Sequence, residues 1–406
     1  MQSSAPLLNK PRILTIDALR GFALFGIFFA HMISWFVGGP LPEEYYRLHQ
    51  DIFTGISFAI YMLLINAKFF AIFSFLFGLS FYIQMQSLAQ RYPNVAARFA
   101  WRLCILGMIA IAHHCFWRAD ILSIYVPLGF LLLFFRHLSD RALLIIGCLL
   151  ILNIPSKLVE LVSIFGFQHY PLMDSRNKAD AQAMLFTVSQ ANFSEMVQHN
   201  AHAAYEKLAY QINSGRLWIT LGFFLLGMLV GRWQWFAKIE EHKTQLTTIC
   251  KKSAWLLLII FIIGVLLAIV VFISKMPTED NHLLAWLSGL WFDSLNASLT
   301  FIYISGFALL MLKPRWFNFL STLAPAGKMA LTTYLMQSLI GVFIFFNVGF
   351  GVFPLTSPAE NVLLAVAIFG LQVFFCKWWL QYFNYGPIEW LWRSGTDLKW
   401  QKMWKS

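Results

Sequence analysis

Two apolar stretches of this sequence each carry an arginine followed eleven residues later by a histidine. Arg20 precedes His31 in IDALRGFALFGIFFAHMISWFV, and Arg102 precedes His113 in RFAWRLCILGMIAIAHHCFW. Eleven residues are about three helical turns, so each pair shares one helix face with a rise of about 16 Å. Guanidinium groups bind anions such as phosphates, and a neutral imidazole can accept a proton. The repeated spacing predicts a basic layer and a histidine layer joined by one polar seam.

The first stretch has a third ionisable residue on the same face. Asp17 precedes Arg20 by three residues, so Asp17, Arg20 and His31 fall within a sector about 60° wide. Ionisable groups inside a membrane are costly and usually face a bundle interior or a water-filled cavity. We therefore expect this helix to form one wall of a functional site.

Simpler interpretations are open for several of these residues. His113 or His114 would donate to a carbonyl of a neighbouring helix, and Arg102 would neutralise lipid headgroups. Asp120, in the short hairpin that follows, either caps the next helix or takes part in catalysis. Lys68 lies deep within its apolar run, so extension of its side chain to the membrane interface is a weaker explanation there than for a lysine near a helix end.

The composition is that of a polytopic membrane protein. Of 406 residues, 59% are hydrophobic and 12% charged, and the mean hydropathy is +0.65. The formal net charge of +11 does not indicate nucleic-acid binding, because the basic residues lie beside apolar segments and form no block interleaved with aromatics. The five cysteines have no paired spacing, so we expect neither a disulfide framework nor a cysteine metal site.

Hydropathy predicts an all-α bundle of about ten transmembrane helices, which forms a single membrane domain. The predicted spans lie near residues 16-37, 56-84, 98-118, 120-137, 141-165, 216-236, 251-274, 292-312, 328-347 and 360-384. Lys and Arg are concentrated in the segments on the side of the N-terminus, which places both termini in the cytoplasm. The first span is expected to stay in the mature protein as a signal anchor.

Two segments outside the spans are long enough to matter. Residues 166-215 are predicted to form an external helical loop, and residues 385-406 an interfacial cytoplasmic tail rich in Trp and Lys that contacts membrane lipids. Four residues of the loop share one helical face: Glu195, His199, His202 and Glu206. The polar face of an amphipathic helix explains this stripe better than a metal site, so no metal is expected, although metal binding stays open as a minor hypothesis.

Several motifs together resemble the YeiB-like family of bacterial inner-membrane proteins, a domain of unknown function. They are IDALRGFALFGIFFAH, KFFAIFSFLFGLSF, HHCFWRADILSIY, GKMALTTYLMQSL and GPIEWLWR, which span residues 16 to 393. The family is similar to the heparan-glucosaminide acetyltransferases and other transmembrane acyltransferases. That resemblance implies a multi-pass protein of the bacterial inner membrane and a cell-envelope acceptor. His31 stands where relatives commonly have Asn.

The resemblance implies a transmembrane acyltransferase that uses cytoplasmic acyl-CoA or acetyl-CoA. In that function Arg20, Lys68, Arg102 and Lys328 would bind the phosphates of the donor, and Asp17 would orient Arg20. His31 or His113 would take the proton of the acceptor, which is a sugar, lipid or small metabolite on the outer side. The alternative is a transporter or exporter of a small molecule through the same polar seam.

Overall fold

The computed structural model describes residues 13–164, 178–274 and 282–405, and within them the chain is helical, without a β-strand. The helices up to residue 213 are α1 (Leu14–Met32), α2 (Ile52–Ile60), α3 (Phe69–Ala89), α4 (Val95–Phe116), α5 (Leu122–Phe135), α6 (Asp140–Ile151), α7 (Ile154–Ile164), α8 (Lys178–Ser189), α9 (Phe193–His202) and α10 (Ala204–Asn213). The later helices are α11 (Arg216–Arg232), α12 (Lys243–Ser274), α13 (His282–Leu310), α14 (Pro314–Leu320), α15 (Ala324–Lys328), α16 (Ala330–Phe345), α17 (Pro358–Tyr382) and α18 (Pro387–Asp397).

Helix length and hydropathy confirm a multi-pass helical membrane protein. In the described ranges six helices are long and apolar enough to cross a membrane, and three sharply bent helix pairs raise that number to nine. Each of the ten predicted spans coincides with a helix or a helix pair, although α5 is shorter than the rest. The count of about ten is thus not confirmed, and the cytoplasmic side of both termini stays a prediction.

Helix α1 packs against several other helices of the bundle. It contacts α3, α13, α15, α16 and α17, and its side chains Leu19, Leu24 and Phe28 are fully buried. The approach of α15 to α1 depends on glycine, because a Cβ atom on Gly327 would lie 1.8 Å from the carbonyl oxygen of Asp17. This close contact positions Lys328 beside the ionisable end of α1.

The predicted span 56-84 is broken in its middle. A π-helical turn at Tyr61–Ile65 follows α2, and Ala67 has a left-handed backbone with φ of 64° before α3 begins. The break frees backbone carbonyls that side chains then satisfy: Lys68 Nζ donates to the Met62 carbonyl at 2.9 Å, and Tyr303 Oη donates to the Leu64 carbonyl at 3.1 Å. Such side-chain donors allow a broken helix at membrane depth.

The predicted external loop is helical where the structure describes it. Residues 166-177 lie outside the described residues, and α8, α9 and α10 occupy the remainder before α11. The bend between α10 and α11 is 71°. In the predicted interfacial tail α18 is an amphipathic helix, and Asn384 donates to the carbonyls of Lys402 and Trp404 at 3.1 Å each. The structure places no lipid, so the interfacial role of the tail stays a prediction.

The contact between α1 and α15 generates a stability prediction. We expect Gly327→Ala to lower the free energy of unfolding by about 1–3 kcal/mol, because the added methyl group must push two backbones apart. Gly306→Ala is the matched control: no atom lies within 4 Å of a Cβ at that position. It should be neutral or stabilising by up to about 1 kcal/mol. Thermal unfolding in detergent measures both, and equal midpoints would contradict the prediction.

Candidate functional site

A cavity of about 370 Å³ lies between α1, α3, α4, α16 and α18. Five basic residues line it: Arg20, Arg91, Arg102, Lys328 and Arg393. Three of them, Arg20, Arg102 and Lys328, belong to the four residues predicted from the sequence to bind the phosphates of a donor. The structure brings these three together and adds two arginines that the sequence did not single out.

The two acidic residues that line the cavity form their hydrogen bonds and ion pairs with groups other than its five basic side chains. Glu389 accepts hydrogen bonds from the backbone N–H groups of Leu331 (2.6 Å) and Thr332 (3.0 Å), in the first turn of α16. Asp397 pairs with Arg98 at 3.3 Å. Among the residues that the structure describes, Arg91, Arg102 and Arg393 have no carboxylate within salt-bridge distance. The cavity therefore holds an excess of positive charge.

Arg102 is the most enclosed of these cations. Its guanidinium carbon lies 4.4 Å from the centroid of the Trp392 ring, whose Nε1 donates to the Arg102 carbonyl at 3.0 Å. The Nε atom of Arg102 is buried and has no hydrogen-bond partner within the described part of the chain. A buried donor without a partner favours binding of an anionic ligand. The guanidinium group of Arg102 thus lines the cavity against the Trp392 ring.

Arg20 is held by two side chains. Its guanidinium donates to Asp17 Oδ1 at 2.7 Å and to Ser80 Oγ of α3 at 2.7 Å. The predicted orientation of Arg20 by Asp17 matches this geometry. Asp17 therefore belongs to the basic end of the site and contacts an arginine of the cavity.

His113 forms a buried dyad with Asp120. The imidazole Nδ1 lies 2.6 Å from Asp120 Oδ1, and the Nε2 atom is buried with no hydrogen-bond partner in the described residues. Because an ionised carboxylate only accepts, Nδ1 carries a proton, and in the neutral imidazole Nε2 then has the lone pair. The histidine therefore donates to a carboxylate and not to the carbonyl of the simpler interpretation. This is the arrangement of an oriented general base.

Asp120 serves both of the purposes considered for it. Its carboxylate accepts from the backbone N–H groups of Leu122 (3.1 Å) and Ser123 (2.7 Å), which caps α5, and it also accepts from His113. Burial alone would raise the pKa of Asp120, but the hydrogen bond from His113, the charge of Lys207 and the Ser123 N–H lower this pKa below its ordinary value. The carboxylate is thus ionised at neutral pH.

The rings of both predicted histidines lie near one indole. The ring of Trp117 is 4.7 Å from His31, in an edge-on contact, and 6.0 Å from His113. Trp117 Nε1 donates to the Phe36 carbonyl at 2.8 Å, which fixes the indole. The residues that line the basic cavity include neither His31 nor His113.

Tyr334 connects the basic cavity with the dyad. Its ring lines the cavity and lies 5.2 Å from the His113 ring in a perpendicular contact. Its hydroxyl accepts from the Ile121 N–H at 2.9 Å, so the ring is anchored to the hairpin that carries Asp120. The basic end and the histidine end of the seam thus meet at one aromatic side chain.

Comparison with known proteins agrees with the sequence motifs. Residues 230–399 match the family described as "Protein of unknown function (DUF418)". An 80-residue segment, 20% of each chain, is 36% identical to the "Uncharacterized protein YeiB" of Escherichia coli (strain K12). The resemblance to the YeiB-like family is confirmed.

Two relatives match nearly the whole chain. The "Uncharacterized protein YxaH" of Bacillus subtilis (strain 168) is 28% identical over 99% of this chain and 98% of that protein. An "Uncharacterized 39.9 kDa protein in amylase 3'region" of Bacillus acidopullulyticus is 26% identical over 96% and 95%, respectively. Both relatives are described as uncharacterized proteins.

The YeiB-like motifs do not all meet in the cavity. The residues that line it include no Lys68; the ammonium group of this lysine is fully buried and donates to the Met62 carbonyl at the break before α3. A role of Lys68 in stabilising that break accounts for its contacts. Its predicted contact with a donor phosphate stays a prediction.

The acidic and histidine stripe of the external segment is divided between two helices. Glu195 caps α9, His199 Nδ1 lies 2.9 Å from Thr187 Oγ1, and His202 Nδ1 lies 2.8 Å from the Gln198 carbonyl. Glu206 belongs to α10, beyond the break at Ala203. Within the described ranges no group of three or more His, Cys, Asp or Glu side chains is placed to hold a metal ion.

Sequence reasoning missed the contacts between distant segments. Arg91 and Tyr334 reach the site from two parts of the chain, and Glu389 and Arg393 both reach it from α18. The motifs GKMALTTYLMQSL and GPIEWLWR contain three of them, so a motif signal was present. Arg91 stood out only as one of the cytoplasmic basic residues.

The capping contact of Glu389 generates a second prediction. We expect Glu389→Ala to lower the free energy of unfolding by about 1–2 kcal/mol, because two N–H groups of α16 lose their acceptor. Glu43→Ala serves as control, since its ion pair with Arg47 is exposed and should contribute under about 1 kcal/mol. Thermal midpoints in detergent compare the two. A loss in Glu43→Ala equal to that in Glu389→Ala would be inconsistent with the capping role.

Proposed function

We propose that this protein is a transmembrane acyltransferase of the bacterial inner membrane. Its donor would be cytoplasmic acyl-CoA or acetyl-CoA, and its acceptor a cell-envelope sugar, lipid or small metabolite on the outer side. The observation that supports this most is one contact: Tyr334 lines the basic cavity, in which three arginines have no carboxylate partner among the described residues, and its ring packs against the oriented base His113.

The basic end fits a polyanionic donor. Arg91, Arg102 and Arg393 would bind phosphate oxygens, and guanidinium groups suit them because their planar forks form paired hydrogen bonds. The unpartnered Nε of Arg102 would gain an acceptor. Arg20, already held by Asp17 and Ser80, would present a fixed charge at the same end.

The histidine end fits acceptor activation. Acyl-CoA supplies a thioester carbonyl that an acceptor oxygen or nitrogen attacks, with loss of the thiol. His113 Nε2 would take the acceptor proton and return it to the leaving sulfur, while Asp120 stabilises the imidazolium. His31, beyond Trp117, would contact the acceptor from the other side of the indole.

A donor-binding experiment tests the basic end. We expect Arg102→Ala and Arg393→Ala each to weaken acyl-CoA binding by about 10- to 100-fold, because one charge-assisted hydrogen-bond partner is lost. Arg136→Ala is the control, since Arg136 lines a separate pocket with Arg232. Calorimetric titration in nanodiscs measures the affinities. Wild-type protein that binds no acyl-CoA would overturn the proposal.

A transfer experiment tests the histidine end. His113→Ala should bind acyl-CoA normally and lose at least about 100-fold in acyl transfer, the usual contribution of a general base. Candidate envelope sugars and lipids are supplied with radiolabelled acetyl-CoA in proteoliposomes. Transfer that is unchanged in both His113→Ala and His31→Ala would exclude the assigned chemistry.

A transporter is the second candidate, and the broken helices favour it. Three helix pairs are bent by 53°, 71° and 80°, and discontinuous helices commonly form the substrate sites of transporters. Uptake of labelled acyl-CoA into proteoliposomes without chemical turnover would support transport over acyl transfer.

A further inference from the structure

A lysine of the external segment reaches the His113–Asp120 dyad. Lys207 of α10 donates to the Asp120 carbonyl oxygen and to Ser123 Oγ at 2.6 Å, and its Nζ lies 3.9 Å from Asp120 Oδ2. Its side chain is only 10% exposed. Lys207 therefore lies beside the His113–Asp120 dyad, although 84 residues separate it from Ser123.

The external helices hold Lys207 in place from both sides. Asn200 of α9 donates to the carbonyls of Cys115 and Phe116 at 3.2 and 2.9 Å, and Arg118 forms a two-point pair with Asp180 of α8 at 2.9 and 3.2 Å. These contacts fix the segment on the hairpin that carries Asp120. Lys207 is thus presented by a docked helix and not by a mobile arm.

The charges around Asp120 show what this lysine contributes. His113 of α4 donates to its carboxylate, and Lys207 of α10 places a positive charge 3.9 Å from it, whereas the charge of Arg118 is matched by Asp180. Tyr334 of α16 approaches as a neutral ring, and its hydroxyl is bonded to Ile121. His114 Nδ1 lies 3.3 Å from Lys207 Nζ and so accepts from it. Lys207 is the positive charge that balances a fully buried carboxylate when His113 is neutral.

We propose that Lys207 is a positioning residue that keeps Asp120 ionised and turned towards His113 Nδ1, so that Nε2 stays the acceptor. The functional meaning of this role rests on the proposed use of His113 as a base. The geometry itself is measurable without any substrate.

Removing the positive charge of Lys207 changes the protonation of Asp120 in a definite direction. Burial raises the pKa of Asp120, and the positive charge of Lys207 lowers it. Removing that charge therefore makes the pKa of Asp120 rise. Once protonated, Asp120 no longer accepts from Nδ1–H, and His113 is free to change tautomer. The dyad is then lost at a higher pH than in the wild type.

Histidine tautomers report this directly. Solid-state NMR of ¹⁵N-histidine protein in lipid bilayers distinguishes protonated from bare ring nitrogens, and His113→Gln identifies the signal. We expect Nδ1–H with bare Nε2 in the wild type, and in Lys207→Met the loss of this state should occur about one pH unit or more higher. Lys207→Gln, which keeps a hydrogen-bond donor without the charge, should shift similarly, and Lys207→Arg should restore the wild-type profile.

The controls separate this inference from the proposed function. Lys238→Met removes an exposed lysine paired with Glu241 and should leave the His113 signal unchanged. A His113 profile that is the same in Lys207→Gln, Lys207→Met and wild type would overturn the inference. A shifted profile in a protein that transfers no acyl group would support the inference and refute the enzyme.

Discussion

The buried carboxylate of Asp120 is the constraint on which the site depends. A fully desolvated charge is tolerated only when its oxygens are paired. Here α5 supplies two N–H groups, α4 an imidazole and α10 an ammonium group. Three parts of the chain must therefore meet at the hairpin before the carboxylate is stable. The same contacts orient His113, so its orientation follows from satisfying Asp120.

The charges of the basic cavity are stabilised in a different way from that of Asp120. Its carboxylates are engaged by Arg98 and by the N-terminus of α16, and its arginines lie against aromatic rings: Arg102 on Trp392 and Arg393 on Tyr385, at 4.4 and 5.0 Å. Cation–π contacts hold a guanidinium group without neutralising its charge. The aromatic rings therefore hold these arginines in place while the cavity stays strongly positive, which suits reversible binding of an anion.

The sequence predicted features that depend on one helix and missed those that depend on several. Hydropathy located a helix at every predicted span, and helical periodicity placed Arg20 beside Asp17. Lys68 could not be judged, because the π-helical break that it stabilises has no periodic signature. The contact of Lys207 with Asp120 joins segments more than eighty residues apart. Such pairings are set by how helices pack, which a single sequence does not encode as spacing.

The cap on α16 has a consequence for the kind of anion that the cavity prefers. The N-terminus of a helix attracts small anions of many shapes through its backbone N–H groups. In this protein Glu389 occupies that position from within the chain. The cavity is left with Lys328 and with planar guanidinium forks, which match the oxygen edge of a phosphate or carboxylate and fit a spherical halide poorly. Because Glu389 occupies the N-terminus of α16, the positive charge of the cavity is expected to favour oxyanions over anions of other shapes.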